Sequence, residues 1–360
     1  MTQEQVLGFF SPWIIYLIIT VLHYYLPGKW ETGYVKDIQS GSLLRYRLNG
    51  RLVLFSTIFL WFGLGYLGWV PFDWLYSMRW YSLAGAFVFG LLFSFWIVLS
   101  APSKGKSWLS DLYLGRLINP QLKGGRLDAK MWLYLIGAVM LELNILSFIA
   151  YHYLTYGSIS PGLILCGSML TYFILDYLSF EKVHLYTYDI FAERVGFKLG
   201  WGCLTFYPYF YSIAIWATAE LPDPHTPLWL LVFYSLLFLL GWSLARGANM
   251  QKFFFKTAPE KSFLGIKPKS ISDGNKTLLV NGFWGLSRHI NYLGEILMGT
   301  AIALSVGYPK VLWVWLYPLY YVALLFPRQM DDDKRCALKY GNLWQEYTQK
   351  VKYRIIPYLY

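Results

Sequence analysis

Charged residues are scarce in this chain of 360 amino acids, of which Lys, Arg, Asp and Glu together make up 14%. Ordinary soluble domains carry about 25%. Hydrophobic residues make up 56% and aromatic residues 20%, so the composition excludes a water-solvated domain and is typical of a lipid-solvated protein. Cysteine is scarce too. Cys166, Cys203 and Cys336 lie far apart without CxxC spacing, which supports neither a disulfide framework nor a metal site.

The chain has no obvious internal repeat and no low-complexity segment, and its one long polar interval covers residues 246–288. Apolar runs near the roughly 20 residues that cross a bilayer recur on both sides of that interval. We expect about nine or ten spans, and therefore an all-α, polytopic transmembrane helical bundle. The runs cover residues 8–25, 52–72, 81–100, 131–154, 159–180, 200–219, 228–245, 290–307 and 311–326.

The net charge of +11 is spread over loops beside the spans. This pattern is typical of membrane topology and argues against nucleic acid as a partner. The loops predicted on the other side of the membrane from these cations are poor in Lys and Arg, and one of those loops carries Glu220 and Asp223. The loop cations after the first and third spans are Lys29, Lys36, Arg45, Arg47, Arg51, Lys104, Lys106, Arg116, Lys123, Arg126 and Lys130.

The charge pattern predicts an N-terminus outside or in the lumen and a C-terminus in the cytoplasm. Residues 1–5 contain no Lys or Arg, so we expect the first span to be retained rather than cleaved as a signal peptide. No address in the sequence names a compartment. We expect the endoplasmic reticulum for a eukaryotic protein and the inner membrane for a bacterial one, with membrane lipids as partners.

The polar interval divides one continuous helical domain into a transmembrane bundle at residues 1–245 and a C-terminal part at residues 246–360. The C-terminal part begins with many cations, which a cytoplasmic loop explains in large measure. Lys252 and Lys256 differ from the other cations because their i,i+4 spacing places both ammonium groups on one helical face. Such a pair can bind phosphate or pyrophosphate.

The signature segment, residues 281–295 with the sequence NGFWGLSRHINYLGE, sets polar pairs between glycines just before an apolar run. Trp284 and Tyr292 offer flat surfaces for a nicotinamide or adenine ring. An aromatic belt at the membrane interface also explains a Trp and a Tyr, but it does not explain the polar residues beside them. Those hydrogen-bonding residues are Arg288, His289, Asn291 and Glu295.

Two further groups of residues have the composition of a site. In the polar tail, residues 327–360, helical i,i+4 spacing places four residues in one stripe, and Lys339 lies beside that stripe. A solvated amphipathic helix has the same periodicity. That stripe consists of Arg328, Asp332, Cys336 and Tyr340. Earlier, Asp176, Glu181 and Asp189 lie at an apolar boundary, where carboxyl groups have raised pKa values and can donate protons. The alternative is that Glu181–Lys182 and Glu193–Arg194 are only surface pairs.

These segments together resemble the sterol reductase family, which includes the delta-14, delta-7 and delta-24(28) sterol reductases and the membrane domain of the lamin B receptor. Residues 278–295, LLVNGFWGLSRHINYLGE, resemble the family pattern LLxxGxWGxxRHxNYxGE. Residues 328–347, RQMDDDKRCALKYGNLWQEY, resemble RxxRDxxxCxxKYGxxWxxY, and the ending VKYRIIPYLY resembles the family's closing segment. Earlier in the chain, residues 110–121, SDLYLGRLINPQ, resemble YDxxxGxxxNPR, and residues 185–202, LYTYDIFAERVGFKLGWG, resemble LxTxDIxxxxFGFxLxWG.

The resemblance implies an NADPH pocket in the C-terminal third and a sterol as substrate. Lys256 stands where relatives usually have Arg, which keeps the charge but loses the bidentate fork that suits a 2′-phosphate. Asp331, Pro327 and Gln121 are further departures from the family pattern. The implied cofactor residues are Lys252, Lys256, Leu279, Trp284, Arg288, His289, Asn291, Tyr292, Arg328, Asp332, Cys336, Lys339 and Tyr340.

An isolated sterol double bond is not electrophilic, so a proton must reach one carbon before or while hydride reaches the other. We expect the acid to be one of the three carboxyl groups of the segment from Asp176 to Asp189, with Tyr177 as a proton relay. A cavity within the membrane would keep water away from the cation. The residues expected to act in catalysis are Asp176, Tyr177, Glu181 and Asp189.

Two other functions stay open. A membrane methyltransferase of the isoprenylcysteine carboxyl type uses S-adenosylmethionine and has a similar C-terminal arrangement around an RHPxYxG motif, in which Ile290 here takes the place of the proline. A non-catalytic sterol-binding membrane protein is the third possibility. The KYGxxW tail and the QKxxFK segment favour the reductase.

Overall fold

A computed structural model describes residues 2–37, 40–103 and 107–360 of the chain. The structure is mostly helical and divides into two compact units, Met1–Pro224 and His225–Tyr360. Lys104 and Lys106, two of the cations used to predict the topology, lie outside the described residues.

The first unit is built around one long buried helix. Its larger helices are α1 (Gln3–Tyr25), α2 (Gly50–Tyr66), α4 (Arg79–Leu99), α6 (Ala129–Tyr156) and α7 (Pro161–Ser179). Short helices lie between and after them: α3 (Trp74–Ser77), α5 (Trp108–Leu114), α8 (Glu181–His184), α9 (Tyr188–Phe191), α10 (Phe197–Trp201), α11 (Tyr207–Phe210) and α12 (Ile213–Thr218).

Helix α6 is the core of this unit because nearly all of its side chains are buried. It begins after Asp128, whose carboxylate accepts hydrogen bonds from the backbone N–H groups of Lys130 and Met131. It ends at Gly157, whose left-handed φ of 70° closes the last turn. Other helices of the first unit pack around it.

The predicted span at residues 200–219 is not one regular helix. It consists of α10, a π-helical turn at Gly202–Phe206, α11 and α12. Pro208 has no N–H to donate to the carbonyl of Leu204, and the Tyr16 hydroxyl donates to that carbonyl instead. Asn144 similarly donates its amide to the carbonyl of Pro208, at 2.9 Å. Side chains of neighbouring helices thus satisfy the backbone groups that the break exposes.

The second unit contains two closely packed helices and a small, separate hydrophobic cluster. Its helices are α13 (Leu228–Thr257), α14 (Phe283–Leu286), α15 (Ile290–Ser305), α16 (Leu316–Tyr340) and α17 (Asn342–Lys350), with a 3₁₀ turn at Leu312–Trp315. Helices α13 and α15 lie close because glycine faces glycine. A Cβ on Gly294 would lie 2.5 Å from the carbonyl oxygen of Gly241. Helix α17 and Ile271 bury a small hydrophobic cluster around Trp344 and Tyr347.

The prediction of an all-α protein did not include the three two-stranded antiparallel sheets that the described residues form. The sheets pair Lys29 with Leu48, Gln121 with Asp128 and Ser270 with Leu279 at their outer ends. They lie in polar intervals between apolar runs, where short strands have too few residues to show a clear alternation. Their strands are β1 (Lys29–Lys36), β2 (Leu43–Leu48), β3 (Gln121–Leu122), β4 (Leu127–Asp128), β5 (Ser270–Ser272) and β6 (Thr277–Leu279).

Five of the described helices are long and apolar enough to cross a membrane: α1, α4, α6, α7 and α13. Helices α2 and α15 are apolar but shorter. These helices are those of an integral membrane protein, while the predicted count of about nine spans stays a prediction. Helix α13 runs unbroken through residues 245 and 246, so the division predicted there falls within a helix. The roles predicted for residues 1–245 and 246–360 also stay predictions.

Candidate functional site

The predicted cofactor residues all lie in the unit His225–Tyr360, and the predicted acids all lie in the unit Met1–Pro224. Buried Gln251 of α13 holds the start of the signature segment. Its amide donates to the carbonyl of Asn281 at 3.3 Å and accepts from the N–H of Phe283 at 2.9 Å. Gly282 between them has a φ of +64°, and a Cβ there would lie 2.1 Å from the Gln251 amide nitrogen. Only glycine fits this position.

Trp284 is fixed against α13. Its indole N–H donates to the carbonyl of Ala248 at 2.7 Å, and the Lys252 ammonium lies 5.0 Å from the ring centroid. A cation over an indole ring is attracted by the ring quadrupole. The structure therefore brings together two predicted cofactor residues, Trp284 and Lys252, and leaves the lysine exposed.

Three lysine ammonium groups form an electropositive patch on this unit. Lys252 and Lys256 lie one turn apart on α13, as their spacing predicts, and both are exposed. Lys256 interacts electrostatically with Lys252 and with Lys339 of α16. Like charges repel, so a bound anion such as a phosphate would relieve the repulsion.

Arg288 and His289 are buried and are held by the closing segment, which we define as residues 351–360. The backbone N–H of Arg288 donates to the carbonyl of Tyr353 at 2.9 Å, and that of His289 donates to the carbonyl of Arg354 at 2.8 Å. The Ser287 hydroxyl donates to the carbonyl of Ile355 at 2.9 Å. The end of the chain thus forms the support of the signature segment.

Tyr292 connects the signature segment to the tail helix. Its hydroxyl donates to the Asp332 carboxylate at 2.7 Å, and its ring stacks on His289 with centroids 5.0 Å apart. Tyr292 and Asp332 were both expected in the pocket, and the structure places them in contact.

Several buried polar atoms of the signature segment have no hydrogen-bond partner among the described residues. They are Arg288 Nε, His289 Nε2 and Asn291 Oδ1. A buried polar atom left without a partner costs roughly 1–3 kcal/mol, so such a set is expensive unless a ligand completes it. Arg288 Nε is a donor, Asn291 Oδ1 is an acceptor, and His289 Nε2 is either one according to its tautomer. Together with the three lysines of the same unit, these atoms fit a ligand that carries both amide-like and phosphate groups.

The remaining predicted cofactor residues contribute packing and charge. Cys336 and Tyr340 of α16 pack against the cluster of Trp344 and Tyr347. Burial raises the pKa of the Cys336 thiol to about 11, so the side chain stays a neutral thiol and is not a nucleophile. Leu279 is buried at the end of β6, and Arg328 lies one turn before Asp332 on α16.

Glu181 is the most buried of the predicted acids. Its Oε2 accepts a hydrogen bond from the backbone N–H of Gly50, at 3.0 Å, at the start of α2. Burial raises the pKa of this carboxyl to about 7, although the Gly50 N–H and the nearby Arg51 act against the rise. The expected alternative of a surface pair with Lys182 is wrong, because Lys182 pairs with Glu31 at 2.9 Å.

The other predicted acids have different surroundings. Asp176 is half-buried near the end of α7, and the Tyr177 ring stacks on His184 with centroids 4.0 Å apart. Asp189 lies on the turn of α9, whose carbonyls at Asp189 and Ile190 both accept from the Lys130 ammonium at 2.8 Å. Whether any of them donates a proton stays a prediction.

Sequence reasoning missed four residues that the structure singles out. Lys130, predicted to be a loop cation, is fully buried, and the predicted site does not include Gln251 or Asp333. Glu142 is buried within α6 and accepts from the Thr171 hydroxyl at 3.0 Å. A carboxyl in the middle of an apolar run is itself a signal of function, so Glu142 was detectable. The other three have no distinctive spacing.

Long apolar helices and a cation-rich cluster of buried polar side chains define an integral membrane protein with a candidate ligand site. Residues 2–360 match the sequence model of the family described as "Ergosterol biosynthesis ERG4/ERG24 family". The chain belongs to this family, and the predicted resemblance to sterol reductases is confirmed.

Named relatives support the same assignment over nearly the full length. The chain is 33% identical to the delta(14)-sterol reductase of Arabidopsis thaliana, over 93% of this chain and 91% of the relative. It is 35% identical to the delta(14)-sterol reductase TM7SF2 of Mus musculus, over 97% and 86%. It is 31% identical to the delta(14)-sterol reductase ERG24 of Saccharomyces cerevisiae, over 97% and 84%.

Proposed function

We propose that this protein is an NADPH-dependent sterol reductase that reduces the delta-14 double bond of a membrane-dissolved sterol. The relatives support the reaction, because each of those above is named a delta(14)-sterol reductase. The observation that carries the cofactor is the set of buried, unpartnered atoms on Arg288, His289 and Asn291. A bound polar ligand would compensate for their burial.

The residues that would hold NADPH belong to one unit. When bound, the reduced nicotinamide supplies a hydride to carbon. Lys252, Lys256 and Lys339 supply positive charge for phosphate groups, because their ammonium groups are close to one another. Arg288, His289 and Asn291 supply donors and an acceptor, and Tyr292 fixes Asp332 by its hydrogen bond. Leu279, Trp284, Arg328, Cys336 and Tyr340 complete the proposed site.

The proton must come from an acid that is protonated at neutral pH. Glu181 supports this role best, since burial raises the pKa of its carboxyl to about 7. Asp176 and Asp189 are the other candidates, with Tyr177 as the relay. Protonation of one alkene carbon gives a tertiary cation on the other, and the hydride then forms the second new C–H bond.

The experiment is to incubate the purified protein with NADPH and a panel of delta-14, delta-7 and delta-24(28) sterols, and to identify the products by mass spectrometry. We expect loss of the delta-14 double bond together with equimolar oxidation of NADPH. Reduction of another bond would change the substrate but keep the reaction class. S-adenosylmethionine binding without NADPH oxidation would overturn the proposal in favour of a methyltransferase. Sterol binding without any turnover would indicate a non-catalytic protein.

A further inference from the structure

The Asp333 carboxylate lies between the signature segment and the closing segment. Its Oδ2 accepts from the Gln329 amide at 2.7 Å and lies 3.3 Å from Nη1 of Arg288. The same oxygen lies 3.9 Å from Nε of Arg354, and the other oxygen, Oδ1, lies 3.6 Å from Nε2 of His289. One carboxylate therefore faces two arginines and a histidine.

The exposed fractions of these side chains indicate which of their interactions with Asp333 is strongest. The side chains of Arg288 and His289 are only 8% and 11% exposed, and that of Asp333 is 18% exposed. Arg354 is 45% exposed, so water weakens its attraction to the carboxylate. The interaction between Asp333 and Arg288 is the dominant one, because both charges are largely withdrawn from water.

Arg288 is only partly satisfied by this contact. A guanidinium presents five N–H donors in a fixed planar fork, so an acceptor on one edge sets the orientation of the others. Asp333 contacts Nη1, while Nε of Arg288 is buried without a partner. Nε2 of His289 is likewise buried without a hydrogen-bond partner, although Asp333 lies just beyond hydrogen-bond distance.

We propose that Asp333 is a positioning residue for the cofactor site: its carboxylate fixes the Arg288 guanidinium in the orientation that receives the cofactor. This inference rests on the proposed function, since it takes the site to bind NADPH. In this role Asp333 acts through Arg288, whose Nε stays available for the ligand. Its neighbour Asp332 is held by Tyr292 instead.

A purely structural role for Asp333 makes a different prediction. Gln329, which donates to Asp333, accepts from the Tyr360 hydroxyl at 3.3 Å, and Arg354 donates to that hydroxyl at 3.2 Å. Asp333 could in that case only tie the closing segment to α16. The variant Tyr360→Phe breaks this tie without touching Asp333, so it separates the two roles.

The test compares Asp333→Asn with Asp331→Asn, which removes one negative charge from an exposed position of the same helix. Binding of NADPH to the full-length protein is measured in detergent by cofactor fluorescence, and sterol turnover gives the KM for NADPH and kcat. We expect Asp333→Asn to raise the dissociation constant and the KM about tenfold, the effect of losing one charged hydrogen-bonding partner. We expect Asp331→Asn and Tyr360→Phe to leave both constants near those of the wild type.

A conservative variant keeps the test decisive if Asp333→Asn does not fold. Asp333→Glu keeps the charge and moves it by one methylene, so we expect a folded protein with a smaller rise in KM. If Asp333→Asn binds NADPH as Asp331→Asn does, or if Asp333→Asn does not fold and Asp333→Glu binds NADPH in that way, the positioning role is refuted while the proposed function stands. If Tyr360→Phe raises KM as much as Asp333→Asn, the role is structural. Failure of the wild type to bind NADPH would overturn the proposed function together with this inference.

Discussion

The burial of Glu181 determines the pH range in which its carboxyl group is protonated. A donor must be protonated, and burial raises the pKa of this carboxyl to about 7. If Glu181 is the acid, sterol reduction should slow as the pH rises above about 7, and Glu181→Gln should lower the rate about a hundredfold. Rates of product formation between pH 5 and 9 measure both effects. Unchanged activity in Glu181→Gln would transfer the role to Asp176 or Asp189, which their Asn variants then test.

Two controls separate catalysis from stability at Glu181. Glu193→Gln changes a carboxyl that is already paired with Lys198 at 2.7 Å, and it should keep most of the activity. The folded pKa of Glu181 lies above its ordinary value of 4.5, so the folded protein binds more protons than the unfolded chain between about pH 4.5 and 7. Stability from this group is therefore lost as the pH rises through that window. Melting temperatures of Glu181→Gln should lack this part of the pH dependence.

Lys256 stands where relatives usually have Arg, so it keeps the positive charge but lacks the bidentate geometry of a guanidinium. An Arg at this position could bind a phosphate with two parallel hydrogen bonds, whereas an ammonium binds as a point charge. We expect Lys256→Arg to raise the preference for NADPH over NADH about fivefold, since one further hydrogen bond contributes roughly 1 kcal/mol. Lys256→Met should reduce the preference. Ratios of kcat/KM for the two cofactors give the answer, and exposed Lys334→Met is the charge-matched control.

Asp331, Asp332 and Asp333 show what a sequence can and cannot predict about single residues. Their helical conformation and the stripe that includes Asp332 were predictable from the i,i+4 spacing. Successive residues of a helix point about 100° apart, so three equal carboxyls face three different surroundings. Asp332 accepts from Tyr292, Asp333 faces Arg288, and Asp331 is exposed. Only tertiary packing distinguishes them, because the partners are distant in the sequence.

At the scale of elements, Gly294 permits the close packing of α13 on α15. A Cβ there would lie 2.5 Å from the backbone nitrogen of Ala245 and 2.5 Å from the carbonyl oxygen of Gly241. Backbone cannot move aside as a side chain can, so we expect Gly294→Ala to destabilise the protein by about 1–3 kcal/mol. Thermal unfolding in detergent measures the loss. Gly299→Ala on the same helix should cost less, because its nearest neighbour is the Tyr321 ring at 3.2 Å.

Gly115 joins two segments that are far apart in the sequence. Its φ is +91°, and a Cβ there would lie 2.3 Å from the carbonyl of Val195, next to a backbone bridge between Leu117 and Val195. Gly115→Ala should therefore strongly reduce the yield of folded protein. Gly124 also has a positive φ, +63°, but its Cβ would meet nothing within 4 Å. Gly124→Ala should cost only the backbone strain of about 1–2 kcal/mol, and equal losses in both variants would contradict the packing argument.

The breaks within elements were the hardest feature to predict. Hydropathy places an apolar run at residues 200–219 but does not say how its backbone is paired. The π-helical turn before Pro208 depends on donors from Tyr16 and Asn144, which belong to other helices. The apolar run at residues 311–326 is likewise not one separate helix. It begins with the 3₁₀ turn at Leu312–Trp315 and continues into α16, which extends beyond the end of the run. Local composition determines that these segments are apolar, and neighbouring side chains determine their geometry.

At the scale of the whole molecule, the distribution of charge makes a prediction about orientation. Helix α13 has 30 residues and is about 45 Å long, which exceeds the roughly 30 Å of hydrocarbon. Its last turns, with Lys252 and Lys256, can therefore project beyond the hydrocarbon. The interval that follows is rich in Lys, whereas Glu220 and Asp223 precede the helix. The positive-inside rule then predicts that the end of α13 lies in the cytoplasm.

Cysteine labelling tests this orientation directly. Pro227 and Glu260 are both exposed and flank α13, so cysteines introduced there should face opposite sides of the membrane. In sealed vesicles whose cytoplasmic face is inside, an impermeant maleimide should label Pro227→Cys at once and Glu260→Cys only after permeabilisation. The parent chain, with its three native cysteines, sets the background. Since NADPH is supplied from the cytoplasm in the proposed reaction, labelling in the reverse order would refute the predicted topology and the proposed access of cofactor to Lys252 and Lys256.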